Sequence, residues 1–354
     1  SLEKYALTGS LCSFISLYSF LGRTSSDSSF FLDVINMKYR GMLGGLKRFL
    51  KHFRIQNIMQ LTFLGTSSMV PTKERNQIAV FLSYGSEGIL FDCGEGTQRQ
   101  FKIAGIPLNK VTKILLSHWH GDHVLGLPGL MQTLSSTDYT GTLEIYGPTG
   151  TKKRMESMFE AFVFDKRLDF KVKEVKQGMF FDGKDFQLES YPLEHGIETL
   201  GYRLVEKDRR KVDMKKARKL GIPEGPLIGK LQQGTSIEYN NKKIKPDDVT
   251  EIEKGKIIAY VTDTVLCDGC YKTADNADLL ICEATYASKL VDKSEEYGHL
   301  TAKHAGQLAN KANVKQLVLI HFSARYKNTQ EIEEDARDVF DNVICAKDFM
   351  RIEL

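Results

Sequence analysis

Four metal-ligating side chains crowd into six positions of Ser117-His-Trp-His-Gly-Asp-His123: His118, His120, Asp122 and His123. An apolar strand-like run, Val111 to Ser117, leads into them, and a helical pattern from Val124 to Leu134 follows. Imidazole nitrogens and carboxylate oxygens are the donors that divalent zinc accepts. A strand-to-helix corner can aim several such donors at one point, and Gly121 permits the tight backbone this requires. A lone histidine is more often a hydrogen-bonded structural residue, but that reading does not explain four ligand types at this density. The segment therefore predicts a metal centre at the end of a sheet.

Four ligands on one short loop suggest two metals completed from distant loops. Three candidates end apolar strands, where site residues gather on a rigid scaffold. They are His195 after Tyr191-Pro-Leu-Glu, Asp263 after Ile257-Ile-Ala-Tyr-Val-Thr, and His321 after Gln316-Leu-Val-Leu-Ile. His52 lies in the N-terminal region, and His299 and His304 lie near the start of a helical pattern.

Strands are expected at 60–64, 78–82, 88–91, 111–117, 142–146, 170–175, 186–191, 256–261, 278–282 and 316–320. Helices are expected near 97–104, 124–134, 151–160, 213–220, 301–312 and 330–338. The order has no regular βαβ period, so mixed sheets with helices outside them are favoured over doubly wound or barrel architectures. With 354 residues, 42% of them hydrophobic, the chain can bury a large core. No apolar run is long enough for a transmembrane helix, so no membrane association is expected. Six cysteines do not form a disulfide framework, which points to a reducing, cytoplasmic compartment. The Cys267/Cys270 pair lacks the second pair that a structural zinc site would need, and reads as reduced thiols.

Residues 1–58 differ in texture, being rich in Ser and aromatics and ending in a basic stretch. They read as an N-terminal extension, poorly ordered or not native, with translation starting at Met59; organelle targeting is the other reading. Residues 59–354 would form the catalytic domain. Within it, residues 207–230 hold nine Lys/Arg and three Asp/Glu, a local charge of 9 − 3 = +6 against +4 for the whole chain. The segment reads as either a solvated loop or a projecting basic arm.

The 118–123 loop with His195, Asp263 and His321 resembles the metallo-β-lactamase superfamily. That likeness implies an α+β fold, a four-layer αβ/βα sandwich of two mixed sheets with helices outside. It implies that His118, His120 and His195 hold one metal and Asp122, His123 and His321 the other, with Asp263 bridging. Asp92 would be an orienting aspartate. Substrate is not fixed by the fold. Further motifs are similar to ribonuclease Z, the tRNA 3′-processing endonuclease: Thr62-Phe-Leu-Gly-Thr-Ser67, Val70-Pro-Thr-Lys-Glu-Arg-Asn76, Phe91-Asp-Cys-Gly-Glu-Gly-Thr-Gln-Arg99, Gly221-Ile-Pro-Glu-Gly-Pro226, Glu283-Ala-Thr285 and His321-Phe-Ser-Ala-Arg-Tyr326.

The ribonuclease Z resemblance implies two Zn2+ per subunit, with Mn2+ or another divalent metal as the alternative, a precursor-tRNA substrate and a homodimer. It implies a tRNA-gripping arm at about 206–235 carrying Lys215, Lys216, Arg218, Lys219, Gly225 and Pro226. Asp122 would orient the nucleophile, and His299 with Glu283 would protonate the leaving oxygen. Lys73 and Arg75 would contact the CCA end and Arg325 a phosphate. Cys282 stands where the family often has histidine, and is expected to pack as a small hydrophobe. The competing readings are a small-molecule phosphodiesterase or arylsulfatase-like hydrolase of the same superfamily, and a non-catalytic tRNA-binding protein.

Overall fold

The structure is a computed structural model that describes residues 58–137, 139–163 and 167–354. The expectations for residues 1–57 and for His52 lie outside the described residues.

The apolar runs become two seven-stranded sheets. The first runs Arg351–Glu353, Gln60–Gly65, Ala79–Tyr84, Glu87–Phe91, Lys113–Leu115, Leu143–Gly147 and Phe170–Glu174 across the sheet. The second runs Val343–Cys345, Leu317–Ile320, Leu279–Glu283, Ile257–Val261, Glu198–Glu206, Phe186–Glu194 and Gly178–Asp182. Both are mixed. The four strands from Glu87–Phe91 to Phe170–Glu174 are parallel, and so are the four from Val343–Cys345 to Ile257–Val261. The remaining pairings are antiparallel.

Strand periodicity explains how the sheets stack. Alternate residues point to opposite faces. Leu61, Phe63, Val80, Leu82, Ile89 and Phe91 of the first sheet share one buried cluster with Tyr202, Leu204, Ile258, Tyr260, Ile281 and Ile320 of the second. The opposite face of the first sheet, through Leu64, Phe81, Leu90 and Ile114, packs on helices Thr97–Ala104, Leu127–Ser135 and Thr151–Ala161. The opposite face of the second, through Ala259, Val261, Leu280 and Leu319, packs on Asp268–Ala274, Ala302–Lys311 and Gln330–Arg337. The result is the expected four layers. Cys282 is fully buried in this last cluster, as a small hydrophobe should be.

The single helix expected over 124–134 is two, Gly121–Val124 and Leu127–Ser135. They break at Gly126, where a Cβ would lie 2.1 Å from the Gly94 carbonyl oxygen. That close backbone approach fastens the metal-motif corner to the loop after Asp92.

The basic segment is part of a larger insertion than 206–235. Arg209–Val212 pairs with Thr250–Glu253, so the arm extends to about residue 256. It contains helices Met214–Lys219, Pro226–Gln232 and Pro246–Val249 and a hairpin of Ile237–Tyr239 with Lys242–Ile244. Ala217, Ile222, Leu231, Ile237, Ile244 and Val249 give the arm a core of its own. Among the described residues, no helix is long and apolar enough to cross a membrane.

Candidate metal centre

Strand ends, and the short helix Gly121–Val124 that carries Asp122 and His123, deliver the expected ligands to one place. His118, His120, His195 and Asp263 place one donor atom each within 4.8 Å of one another, and so do Asp122, His123 and His321. Asp263 joins the two groups. Its Oδ2 is 3.7 Å from His118 Nε2, 3.5 Å from His195 Nε2 and 3.5 Å from His123 Nε2, while its Oδ1 is 3.2 Å from His321 Nε2. Asp122 Oδ2 lies 3.4 Å from His321 Nε2 and 3.5 Å from His123 Nε2.

Four of the imidazoles are turned by a partner on the other nitrogen, which fixes a lone pair toward the centre. His123 Nδ1 donates to Asp92 Oδ2 at 2.8 Å, and His195 Nδ1 donates to the Gly298 carbonyl at 2.7 Å. His118 Nδ1 lies 2.9 Å from Ser117 Oγ, which itself donates to Asp92. His321 Nδ1 lies 2.9 Å from Thr285 Oγ1, which donates to Glu283 Oε2. Asp92 also accepts from the Ser117 backbone and the Tyr260 hydroxyl.

The residues fit a divalent cation. His123 Nε2 and Asp122 Oδ1 are buried without a hydrogen-bond partner, which is costly unless another group completes them. Burial would raise Asp263, yet His321 and His123 outweigh it and hold the carboxylate well below the usual range. Burial pushes His118 and His120 down, keeping both imidazoles neutral and able to ligate. Backbone strain marks the same corners: Asp92, Asp263 and His321 adopt positive φ values of 54°, 33° and 61°.

His299 stands beside the centre. Its Nδ1 is 3.1 Å from Glu283 Oε2 and 3.9 Å from Asp263 Oδ2. Burial opposes its charge, but Glu283 prevails and lifts its pKa to about 9. His304 instead caps its own helix with Thr301. Arg325 is exposed, stacked 5.0 Å from the Tyr286 ring, which in turn lies 6.1 Å from the His299 ring.

Part of the expected substrate-facing charge is engaged within the chain. Lys73 is exposed, but Arg75 is buried and its guanidinium donates to the Tyr326 carbonyl. Arg75 therefore braces the 321–326 loop. The arm's positive charge is also partly neutralised. Arg209 and Lys211 pair with Glu253, Lys216 with Glu251, and Arg218 with Glu224. Lys215 and Lys219 are exposed and have no carboxylate partner within ion-pair distance among the described residues. Gly225 has φ 141°, which favours glycine, and Pro226 opens the following helix.

Sequence reasoning missed the orienting groups Ser117, Tyr260 and the Gly298 carbonyl. Tyr260 carries no signal of its own, because strand alternation assigns it to the core.

Relatives of this arrangement are found by both sequence and shape. Ribonuclease Z of Methanothermobacter thermautotrophicus is 41% identical over 298 residues, covering 84% of this chain and 97% of its own. The chain belongs to the ribonuclease Z family. Ribonuclease Z of Protochlamydia amoebophila is 39% identical, covering 83% of this chain and 96% of its own. The crystal structure of human tRNase Z, short form, aligns with a TM-score of 0.61 at 30% identity, covering 83% of this chain and 98% of that one. The metallo-β-lactamase fold protein YhfI of Bacillus subtilis, at 19% identity and a TM-score of 0.62, covers 84% of this chain and 100% of its own and shares the fold. A family profile described as anti-Pycsar protein Apyc1 matches residues 59–208. The chain carries the metallo-β-lactamase fold, with His/Asp clusters that suit divalent-metal binding at the ends of its strands.

Proposed function

We propose that the chain is a zinc-dependent endoribonuclease that removes the 3′ trailer of precursor tRNA. The products would be a tRNA 3′-hydroxyl and a 5′-phosphorylated trailer. The observation that carries this reading is the meeting of two ligand groups at Asp263 beside the His299–Glu283 pair. His118, His120 and His195 would hold one metal and Asp122, His123 and His321 the other, with Asp263 shared. Two Zn2+ suit this nitrogen-rich donor set, and Mn2+ is the alternative.

When bound, the metals supply an activated water and neutralise charge on the scissile phosphate. The chain's own residues do the rest. Asp122 Oδ1, left without a partner, orients the attacking water or accepts its proton. His299 is held protonated by Glu283 and delivers a proton to the departing 3′-oxygen. Arg325 offers its guanidinium to a flanking phosphate, and exposed Lys73, with Arg75 beside it, contacts the CCA end. Lys215, Lys216, Arg218 and Lys219, on the arm with Gly225 and Pro226, grip tRNA by backbone charge and shape. In a homodimer, one subunit's arm would present tRNA to its partner's centre. Free Cys93, Cys267, Cys270, Cys282 and Cys345 suit a cytoplasmic setting.

The arm separates this reading from a small-molecule diesterase, which would not need one. Glu206 N donates to the Lys256 carbonyl at 2.9 Å across the base of the arm, so residues 208–254 can be replaced by a short turn. That variant should lose precursor-tRNA cleavage and keep hydrolysis of bis(p-nitrophenyl) phosphate. Full cleavage of precursor tRNA without the arm would take tRNA gripping away from it, and a full-length chain that hydrolyses the small diester but leaves precursor tRNA intact would favour the small-diester reading.

A further inference from the structure

Cys267 and Cys270 form a pair that the nuclease reading leaves unused. Their sulfurs are 3.6 Å apart, and both are buried as free thiols. A disulfide needs about 2.05 Å, so closure requires a small local shift. Both sulfurs also touch one hydroxyl, Thr264 Oγ1, at 3.7 Å from Cys267 and 3.9 Å from Cys270. Thr264 is the residue after Asp263, whose backbone is already in the left-handed region. The Thr264 backbone N–H donates to Glu283 Oε1 at 2.7 Å, and Glu283 in turn holds His299. The dithiol therefore packs against the one residue that ties the shared carboxylate to the His299 partner.

We propose that Cys267 and Cys270 are a reversible dithiol–disulfide site, and that a peroxide closing it displaces the Asp263–Thr264 corner and loosens the metal centre. Cys267 is the entry point, at 8% exposure against 0% for Cys270. Hydrogen bonding from Cys270 lowers the Cys267 thiol to about 6, whereas Cys270 is raised by donating that bond. The Cys267 thiolate attacks one peroxide oxygen, the O–O bond breaks, and the other oxygen leaves with a proton as water. The resulting sulfenic acid is attacked by the Cys270 sulfur. The S–O bond breaks, the S–S bond forms, and the Cys270 proton departs in a second water. Two electrons pass from the two sulfurs to hydrogen peroxide, giving two waters. Closure removes both S–H groups, so Cys270 no longer donates to Thr264 Oγ1 and the Asp263 corner loses that support. Displacing a ligand's supporting partners typically weakens metal binding about tenfold or more.

The consequence for metal rests on reading Asp263 as a ligand, but the linkage itself does not. The test treats the full, metal-loaded chain with hydrogen peroxide, blocks remaining thiols with N-ethylmaleimide under denaturing conditions, and digests with trypsin. Peptide 257–272 contains Cys267 and Cys270 and no other cysteine. It should appear unalkylated and lighter by two hydrogens, while the peptides with Cys93, Cys282 and Cys345 are alkylated. Metal retained against a chelator should fall about tenfold, and dithiothreitol should restore both. C267S and C270S, each nearly isosteric, should form no linkage and keep their metal under peroxide. Alkylation of both thiols after peroxide overturns the proposal. So does a linkage that leaves metal retention unchanged, or equal metal loss in the two serine variants. Failure of tRNA cleavage would leave these readouts intact.

Discussion

Glu283 Oε2 lies 3.1 Å from His299 Nδ1, and its carboxylate is fully buried beneath the metal centre. The same oxygen accepts from Thr285 Oγ1, which orients His321. One carboxylate thus orients both the imidazole proposed as the general acid and the far side of a proposed metal ligand.

Removing that charge should move the pH profile in a definite direction. Glu283 favours the imidazolium, so His299 stays protonated up to about pH 9. Glu283→Gln removes the raising charge while burial remains, so the pKa must fall. The alkaline limb of kcat for precursor-tRNA cleavage should shift to lower pH, with kcat at neutral pH reduced about 10- to 100-fold. His299→Ala should lose roughly 10²- to 10⁴-fold in kcat with little change in KM. An unshifted limb in the glutamine variant would remove His299 from the acid's role. In stability terms, a raised histidine pKa contributes stability that is full below the unfolded value near 6.5 and fades as pH rises through about 9.

Asp122 tests the separation of chemistry from binding. Asp122→Ala removes one ligand and the unpartnered Oδ1, so turnover should fall below detection. Precursor-tRNA affinity should change by less than about threefold, because the arm is untouched. Gel-shift titration measures it, and parallel losses of binding and catalysis would contradict separate roles.

The Asp92–Tyr260 contact predicts a graded response. Tyr260→Phe removes one of the bonds that Asp92 accepts, costing about 1 kcal/mol of stability and up to about tenfold in metal affinity. Asp92→Ala strands Ser117, His123 and Tyr260 in the interior and should cost about 3 kcal/mol or more. Thermal melts with metal titration check both.

How much of this was legible depended on whether the signal was local. Asp263 and His321 were readable as candidate ligands because each ends an apolar strand, but their positive φ values were not, since no residue type announces them. The strand Arg351–Glu353 pairs with Gln60–Thr62 across nearly the whole domain, and a three-residue run gives no periodicity to read. The arm's second half was missed for the same reason. Its short elements are held by pairing Arg209–Val212 to Thr250–Glu253 and by a small shared core, not by local pattern. The internal bond of Arg75 was not legible either, because only the fold brings its guanidinium to the Tyr326 carbonyl.

Salt dependence distinguishes free from paired lysines on the arm. Lys215 and Lys219 have no ion-pair partner among the described residues, whereas Lys211 shares Glu253 with Arg209. Each phosphate-contacting lysine removed should lower the slope of log affinity against log salt by about 1. The Lys215→Ala/Lys219→Ala variant should therefore lose about 2 in slope, and Lys211→Ala distinctly less than about 1. A slope equal to that of the unmodified chain in the Lys215→Ala/Lys219→Ala variant would take phosphate contact away from the helix Met214–Lys219.

The central claim is tested most directly by incubating the zinc-loaded chain with a 3′-extended precursor tRNA and mapping both product ends. The account predicts one cut at the junction of tRNA and trailer, with a 3′-hydroxyl on the tRNA and a 5′-phosphate on the trailer. Intact RNA from folded, metal-loaded protein that still cleaves bis(p-nitrophenyl) phosphate would contradict it.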